Sequence, residues 1–275
     1  MKFTKMQGIG NDYIYFNCFE NTIENPEELS RRLSDRHFGI GGDGICLITP
    51  SDRADAFMDL YNADGSRAMM CGNGIRCVGK YVYERGLCKK DVLNIDTLSG
   101  IKTLYLTVEN DEVTQVRVDM GEPILEPARI PTTLPEILAQ DIQANGTVYT
   151  VTAVSMGNPH SVIFVDDVDS LDLEKIGPAL ENHPVFPQRV NTEFVQVISP
   201  EEVKMRVWER GSGETWACGT GACATAVACF LNGKTGRKVR VHLRGGDLTI
   251  LWNEDTRHVE MTGPAAFVFD GEISL

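Results

Sequence analysis

Short apolar runs broken by turn residues dominate the chain. Stretches at 3–6, 13–18, 45–48, 56–61, 92–96, 103–108 and 113–119 alternate or are wholly apolar, and they predict strands. A helix is expected over 26–37, with Asn25 as its N-cap and Pro26 at its first position; its sparse apolar residues put it on a surface. A second helix opens at Cys71-Gly72-Asn73-Gly74-Ile75-Arg76 and closes at Gly86, and Asn110-Asp111 marks a hairpin turn. The stretch 121–135 holds Pro123, Pro127, Pro131 and Pro135 and reads as a crossover between domains. Beyond it the order repeats: strands at 147–154 and 161–165, a helix over 171–182, strands at 192–198 and 203–208, and a helix that opens at Cys218 and closes at Gly233. Strands at 239–243, 247–252 and 258–261 follow, then the Gly263-Pro264 break and a last strand at 266–270. Few helices among many short strands predict an α+β protein of two halves, each a curved sheet wrapped on one helix.

The repetition keeps one register. Cys71 and Cys218 lie 147 positions apart, as do Gly86 and Gly233. The same offset carries Gly10-Asn11 onto Gly157-Asn158, Tyr61-Asn62 onto Trp208-Glu209, and Gly44 onto Asn191. Surface loops normally drift in length, so this register points to a structural duplication whose equivalent loops meet at a central cleft.

Composition narrows the class. With 42% hydrophobic and 24% charged residues the chain is of ordinary globular type. A net charge of −13 argues against nucleic acid or an anionic membrane as partner. No leader-like or membrane-spanning apolar run is found, so the eight cysteines are expected to be reduced thiols in the cytoplasm. They form no C-x-x-C and have no histidine at ligand spacing, so no metal site is expected. Gly39-Ile40-Gly41-Gly42-Asp43-Gly44 fits G-x-G-x-x-G formally, but it follows a helix and precedes a strand. That is the wrong context for a dinucleotide, and a loop lining a site is expected instead.

Two cysteines stand at helix starts followed by glycines, Cys71-Gly72-Asn73-Gly74 and Cys218-Gly219-Thr220-Gly221. Unpaired N–H groups and the helix dipole there favour negative charge, which predicts lowered thiol pKa values and anion pockets at Gly72, Asn73, Gly219 and Thr220. Cys18, Cys46, Cys77, Cys88, Cys223 and Cys229 read as ordinary packing residues. The shared offset marks Asn11, Asn62, Asn158 and Asn191 as polar ligands of a common site. Glu209 and Arg210 read as recognition of an ammonium and a carboxylate, and His160 as catalytic support. Two equivalent thiols suit inversion at a carbon: one removes a proton and the other delivers one from the far face, with no cofactor called for.

These residues resemble the diaminopimelate epimerase family over nearly the whole chain. The likeness rests on Gly10-Asn11-Asp12, Asn62-Ala63-Asp64-Gly65-Ser66, the Cys71 block through Cys77, Gly157-Asn158-Pro159-His160, Asn191-Thr192-Glu193, Glu209-Arg210-Gly211, and Cys218 through Ala222. The resemblance implies two pseudo-symmetric domains with barrel-like, mostly antiparallel sheets: 1–119 with a returning strand at 264–275, and 120–263. It further implies a homodimer and cofactor-free interconversion of LL- and meso-2,6-diaminopimelate in lysine biosynthesis. Cys71 and Cys218 would be the acid/base pair. Asn11, Asn62, Asn158, Asn191 and Arg210 would hold the distal end of the substrate, Gly72-Asn73 and Gly219-Thr220 the reacting carboxylate, and Glu209 the reacting amine. Gly44 departs from the glutamine that many members place there. Two rivals remain open: a proline or hydroxyproline racemase of the same architecture, and a carboxylate-binding module that needs neither thiol. Asn73 argues against the first, since those relatives usually carry His at that place.

Overall fold

A computed structural model describes residues 1–274. The chain divides into two compact units, one formed by 1–119 with the chain from Thr262 onward, the other by Met120–Met261.

In the first unit the strands are β1 (Lys2–Gly8), β2 (Asn11–Asn17), β3 (Gly44–Thr49), β4 (Ala56–Asn62), β5 (Arg67–Ala68), β6 (Val92–Asp96), β7 (Lys102–Glu109) and β8 (Glu112–Asp119). The helices are α1 (Pro26–Ser34) and α2 (Gly72–Glu84). Pairing runs β1-β2-β3-β4-β6-β7-β8, with β2/β3 and β4/β6 parallel and the other pairs antiparallel. The short β5 lies on β4. Every residue of α2 from Gly72 to Tyr83 is buried, and the helix packs on β1, β2, β4, β6, β7 and β8. α1 is less peripheral than its composition suggests: Leu29 and Leu33 join Ile14, Phe16, Ile45, Leu47 and Tyr61 in one core.

The second unit contains β9 (Gln140–Ala144), β10 (Thr147–Ser155), β11 (Pro159–Phe164), α3 (Leu173–Glu181), β12 (Asn191–Ser199), β13 (Glu202–Glu209), β14 (Gly213–Thr215), α4 (Gly219–Leu231), β15 (Lys238–Leu243) and β16 (Gly246–Trp252). Its order is β9-β10-β11-β12-β13-β15-β16, with β11/β12 and β13/β15 parallel. α4 is apolar on every side, as a helix enclosed by its own sheet must be, and packs on β10, β11, β12, β15 and β16. β17 (Val259–Gly263) then leads to β18 (Ala266–Glu272), which pairs antiparallel with β1.

The 147-residue register holds in the structure. It carries α1 onto α3 and α2 onto α4 with matching ends. It also preserves cross-strand partners: Tyr13 lies opposite Gly44 and His160 opposite Asn191. β18 supplies β1 with the neighbour that β9 supplies to β10.

Some expectations shift. α1 stops at Ser34 rather than residue 37, because the Asp35 carboxylate accepts the N–H groups of His37 and Phe38 and turns the chain away. Asn25 occupies the N-cap position in a left-handed conformation, but its side chain makes no cap hydrogen bond. The proline-dense stretch belongs to the second unit, where Ile130 and Leu134 enter the core.

Candidate active site

Each of the two equivalent cysteines caps a helix. Cys71 and Cys218 have extended backbone, which starts the helix one residue later, and each sulfur accepts the third N–H of its helix: Gly74 N to Cys71 Sγ and Gly221 N to Cys218 Sγ, both at 3.4 Å. The glycines let the turn close around the large sulfur. A Cβ at Gly221 would stand 3.3 Å from Cys218 Sγ and 2.7 Å from a Glu193 oxygen.

Around Cys71, in the first unit, the thiol donates to Asn11 Oδ1 at 3.2 Å. Asn11 Nδ2 donates to Asp43 Oδ2 at 2.7 Å, which fixes which end of the amide meets the sulfur. Tyr13 donates to Asn62 Oδ1 at 3.2 Å, while Asn62 Nδ2 reaches Ser66. Burial, then the charges of Cys71 and Asp43, push the Tyr13 phenol well above its ordinary range, so it stays a donor. Asn73 is buried beneath, with Oδ1 accepting from Arg76 Nη1 at 3.0 Å. The glycine-rich loop before β3 therefore lines the Cys71 site through Asp43. It carries no strand-to-helix turn of the dinucleotide kind.

Around Cys218, in the second unit, the sulfur lies 3.6 Å from Thr220 Oγ1, which accepts from Asn158 Nδ2 at 3.3 Å. Asn158 Oδ1 meets His160 Nε2 at 3.0 Å, and His160 Nδ1 meets Glu193 Oε1 at 2.7 Å. Glu209 accepts from Thr215 Oγ1, while Arg210 Nη1 donates to Gln188 O. Glu209 and Arg210 thus turn to different partners. Asn191 binds backbone at both ends of its amide, donating to Pro159 O and accepting from Arg210 N, each at 2.9 Å.

One sequence expectation is overturned at Cys218. The helix start does not lower this thiol's pKa. Burial pushes it well above the ordinary cysteine range, the Glu209 and Glu193 carboxylates add to that, and the Thr220 and Gly221 hydrogen bonds offset only part. Burial likewise raises Glu209, and the Thr215 hydrogen bond offsets only part of that. Tyr13, Asp43, Glu193 and Thr215 are site residues that sequence reasoning did not single out. For Tyr13 a signal existed, since the 147-residue offset places it on His160.

Gly44 has a packing reason for lacking a side chain. A Cβ there would stand 2.0 Å from Tyr61 O and 2.6 Å from Tyr13 Cε1. Among the described residues no cluster of His, Cys, Asp and Glu is arranged to hold a metal.

A duplicated α+β unit that brings a cysteine to the cap of each enclosed helix belongs to the isomerase class that includes amino-acid racemases and epimerases. The fold recurs in a phenazine biosynthesis protein of the PhzF family from Bacillus anthracis, at 17% identity and TM-score 0.73 over 100% of this chain and 99% of that one. It recurs in a probable proline racemase from Agrobacterium radiobacter K84, at 15% identity and TM-score 0.74 over 100% and 93%. A family model described as diaminopimelate epimerase matches residues 3–126 and 152–268. Proteins named diaminopimelate epimerase from Acetivibrio thermocellus and Methanococcus maripaludis are 58% and 56% identical, the first over 100% of this chain and 99% of its own length, the second over 100% of both. The chain belongs to the diaminopimelate epimerase family.

Proposed function

We propose that this protein interconverts LL- and meso-2,6-diaminopimelate by proton transfer at the α-carbon, serving lysine biosynthesis. The observation that carries the reading is the matched pair of capping cysteines, each within its own polar cluster, in a chain of this family. Cys71 and Cys218 act on opposite faces of one carbon, one as base and the other as acid, and exchange roles in the reverse direction. Charge developing on the carboxylate is met by N–H groups of Gly72-Asn73 and Gly219-Thr220 at the two helix starts. Glu209 takes the reacting ammonium, and His160 supports the charge change. Asn11, Asn62, Asn158, Asn191 and Arg210 hold the distal amino-acid end, a set suited to a substrate with a second charged terminus.

The domains we assign are 1–119 with 264–275, and 120–263. No described helix is long and apolar enough to cross a membrane, and we place the protein in the cytoplasm. A homodimer completes the reading, supported by the exposed Val268 and Phe269 of β18; sedimentation at micromolar concentration tests it. The decisive experiment for function is LL-diaminopimelate in deuterated water, with loss of the α-proton signal and appearance of the meso form followed by NMR. Exchange of a cyclic imino acid in its place, or ligand binding with no exchange, would refute the assignment.

A further inference from the structure

Glu193 is the most deeply buried carboxylate near either cysteine, and the reaction as described makes no use of it. It lies on β12, where β11 and β12 pair in parallel with His160 opposite Asn191 and Val162 opposite Glu193. Glu193 and Asn191, two residues apart, share the face that meets His160. Glu193 and His160 are both fully inaccessible to solvent. Oε1 of Glu193 meets the ring at 2.7 Å, and Oε2 has no hydrogen-bond partner among the described residues. A buried carboxylate in that condition needs a positive charge close by.

We propose that Glu193 is a positioning residue for Cys218, whose carboxylate holds His160 with a proton on both ring nitrogens and, through Asn158 and Thr220, sets the surroundings of the thiol. An ionised carboxylate only accepts, so His160 Nδ1 carries a proton. Nε2 faces a second acceptor, Asn158 Oδ1 at 3.0 Å, because Asn158 Nδ2 is turned to Thr220. The imidazolium balances Glu193, and Asn158 is thereby kept with its amide N–H on Thr220 Oγ1, 3.6 Å from the sulfur. The titratable groups around this network are His160, Glu209 and Cys218. Glu193 also presses against the first turn of α4, where only a glycine at 221 leaves room for its oxygen. That turn carries the backbone N–H that Cys218 accepts.

The inference rests on the assignment of Cys218 as an acid/base group, and the test separates the two. In the full-length protein labelled with nitrogen-15, both His160 ring nitrogens are expected to carry protons, since each faces an acceptor, with His160→Gln identifying the signals. Glu193→Gln is expected to give a neutral ring and to lower kcat for diaminopimelate about 10- to 100-fold while KM changes less than about 2-fold. Glu193→Asp should restore part of the rate and the doubly protonated ring. A neutral ring in the wild type overturns the proposal with no variant needed, and so does a Glu193→Gln protein with unchanged kcat. A wild-type protein that leaves diaminopimelate untouched would sink the substrate assignment and leave the ring measurement standing.

Discussion

Asn11 Oδ1 sits 3.2 Å from Cys71 Sγ because Asp43 holds the other end of the same amide at 2.7 Å. Burial, then the neighbouring Asp12 charge, raises Asp43 above the usual carboxylate pKa, and hydrogen bonds from Asp12 N and Asn11 offset part of that. Asp43 is therefore ionised only above its raised pKa, and as pH falls it protonates earlier than an ordinary aspartate. Turnover should fall on the acid side with it. Asp43→Asn should remove that limb and cost about tenfold in kcat, read from a pH–rate profile.

Loss of either sulfur should stop the reaction while the fold persists. Cys71→Ala and Cys218→Ala each remove one member of the pair, and turnover is expected to drop about 10²- to 10⁴-fold or more. Circular dichroism and the thermal midpoint should stay near wild type for Cys71→Ala, whose side chain is only half-buried. Normal exchange in the Cys71→Ala protein would falsify the two-base mechanism.

Cys218 should behave as a high-pKa thiol. Burial disfavours its thiolate, and two carboxylates repel it. Removing one negative charge must lower the pKa, so Glu209→Gln should bring Cys218 alkylation to lower pH in a Cys71→Ser background. The pH dependence of the alkylation rate measures this directly. A shift in the opposite direction would show that the Glu209 carboxylate does not raise the pKa of this thiol.

Restoring glutamine at position 44 should not restore a substrate contact. Any Cβ there meets Tyr61 O at 2.0 Å, so β3 and β4 must separate. Gly44→Ala and Gly44→Gln should both cost about 1–3 kcal/mol or more, seen as a drop of several degrees in Tm. Gly177→Ala is expected to do the same against Trp208 Cδ2 at 2.2 Å.

Much of this architecture is legible from residue pattern. The long apolar strands, the two glycine-flanked cysteine helices and the Asn110-Asp111 turn announce themselves because burial and left-handed backbone demand particular residues; Asn110 and Asp111 do have positive φ. β9 and β14 were not legible. β9 buries only Ile142 and Ala144, and β14 has three half-buried residues held by pairing with β13. The pKa direction at Cys218 was hidden for another reason. Helix position can be read locally, but the carboxylates of Glu193 and Glu209 arrive from β12 and β13, and the depth of burial comes from the completed unit. Glu193 itself sits in an apolar run beside Phe194 and Val195, and its equivalent in the first unit is Cys46, so neither composition nor repeat singled it out.

Because β18 zips onto β1, with Met1 N donating to Ile273 O, the first unit lacks a border strand until the whole of the second has been synthesised. Met120–Met261 is continuous in sequence and has all its own strands before β18 (Ala266–Glu272) is made. The nascent chain should thus mature back to front, its opening segment unsealed until β18 has been made.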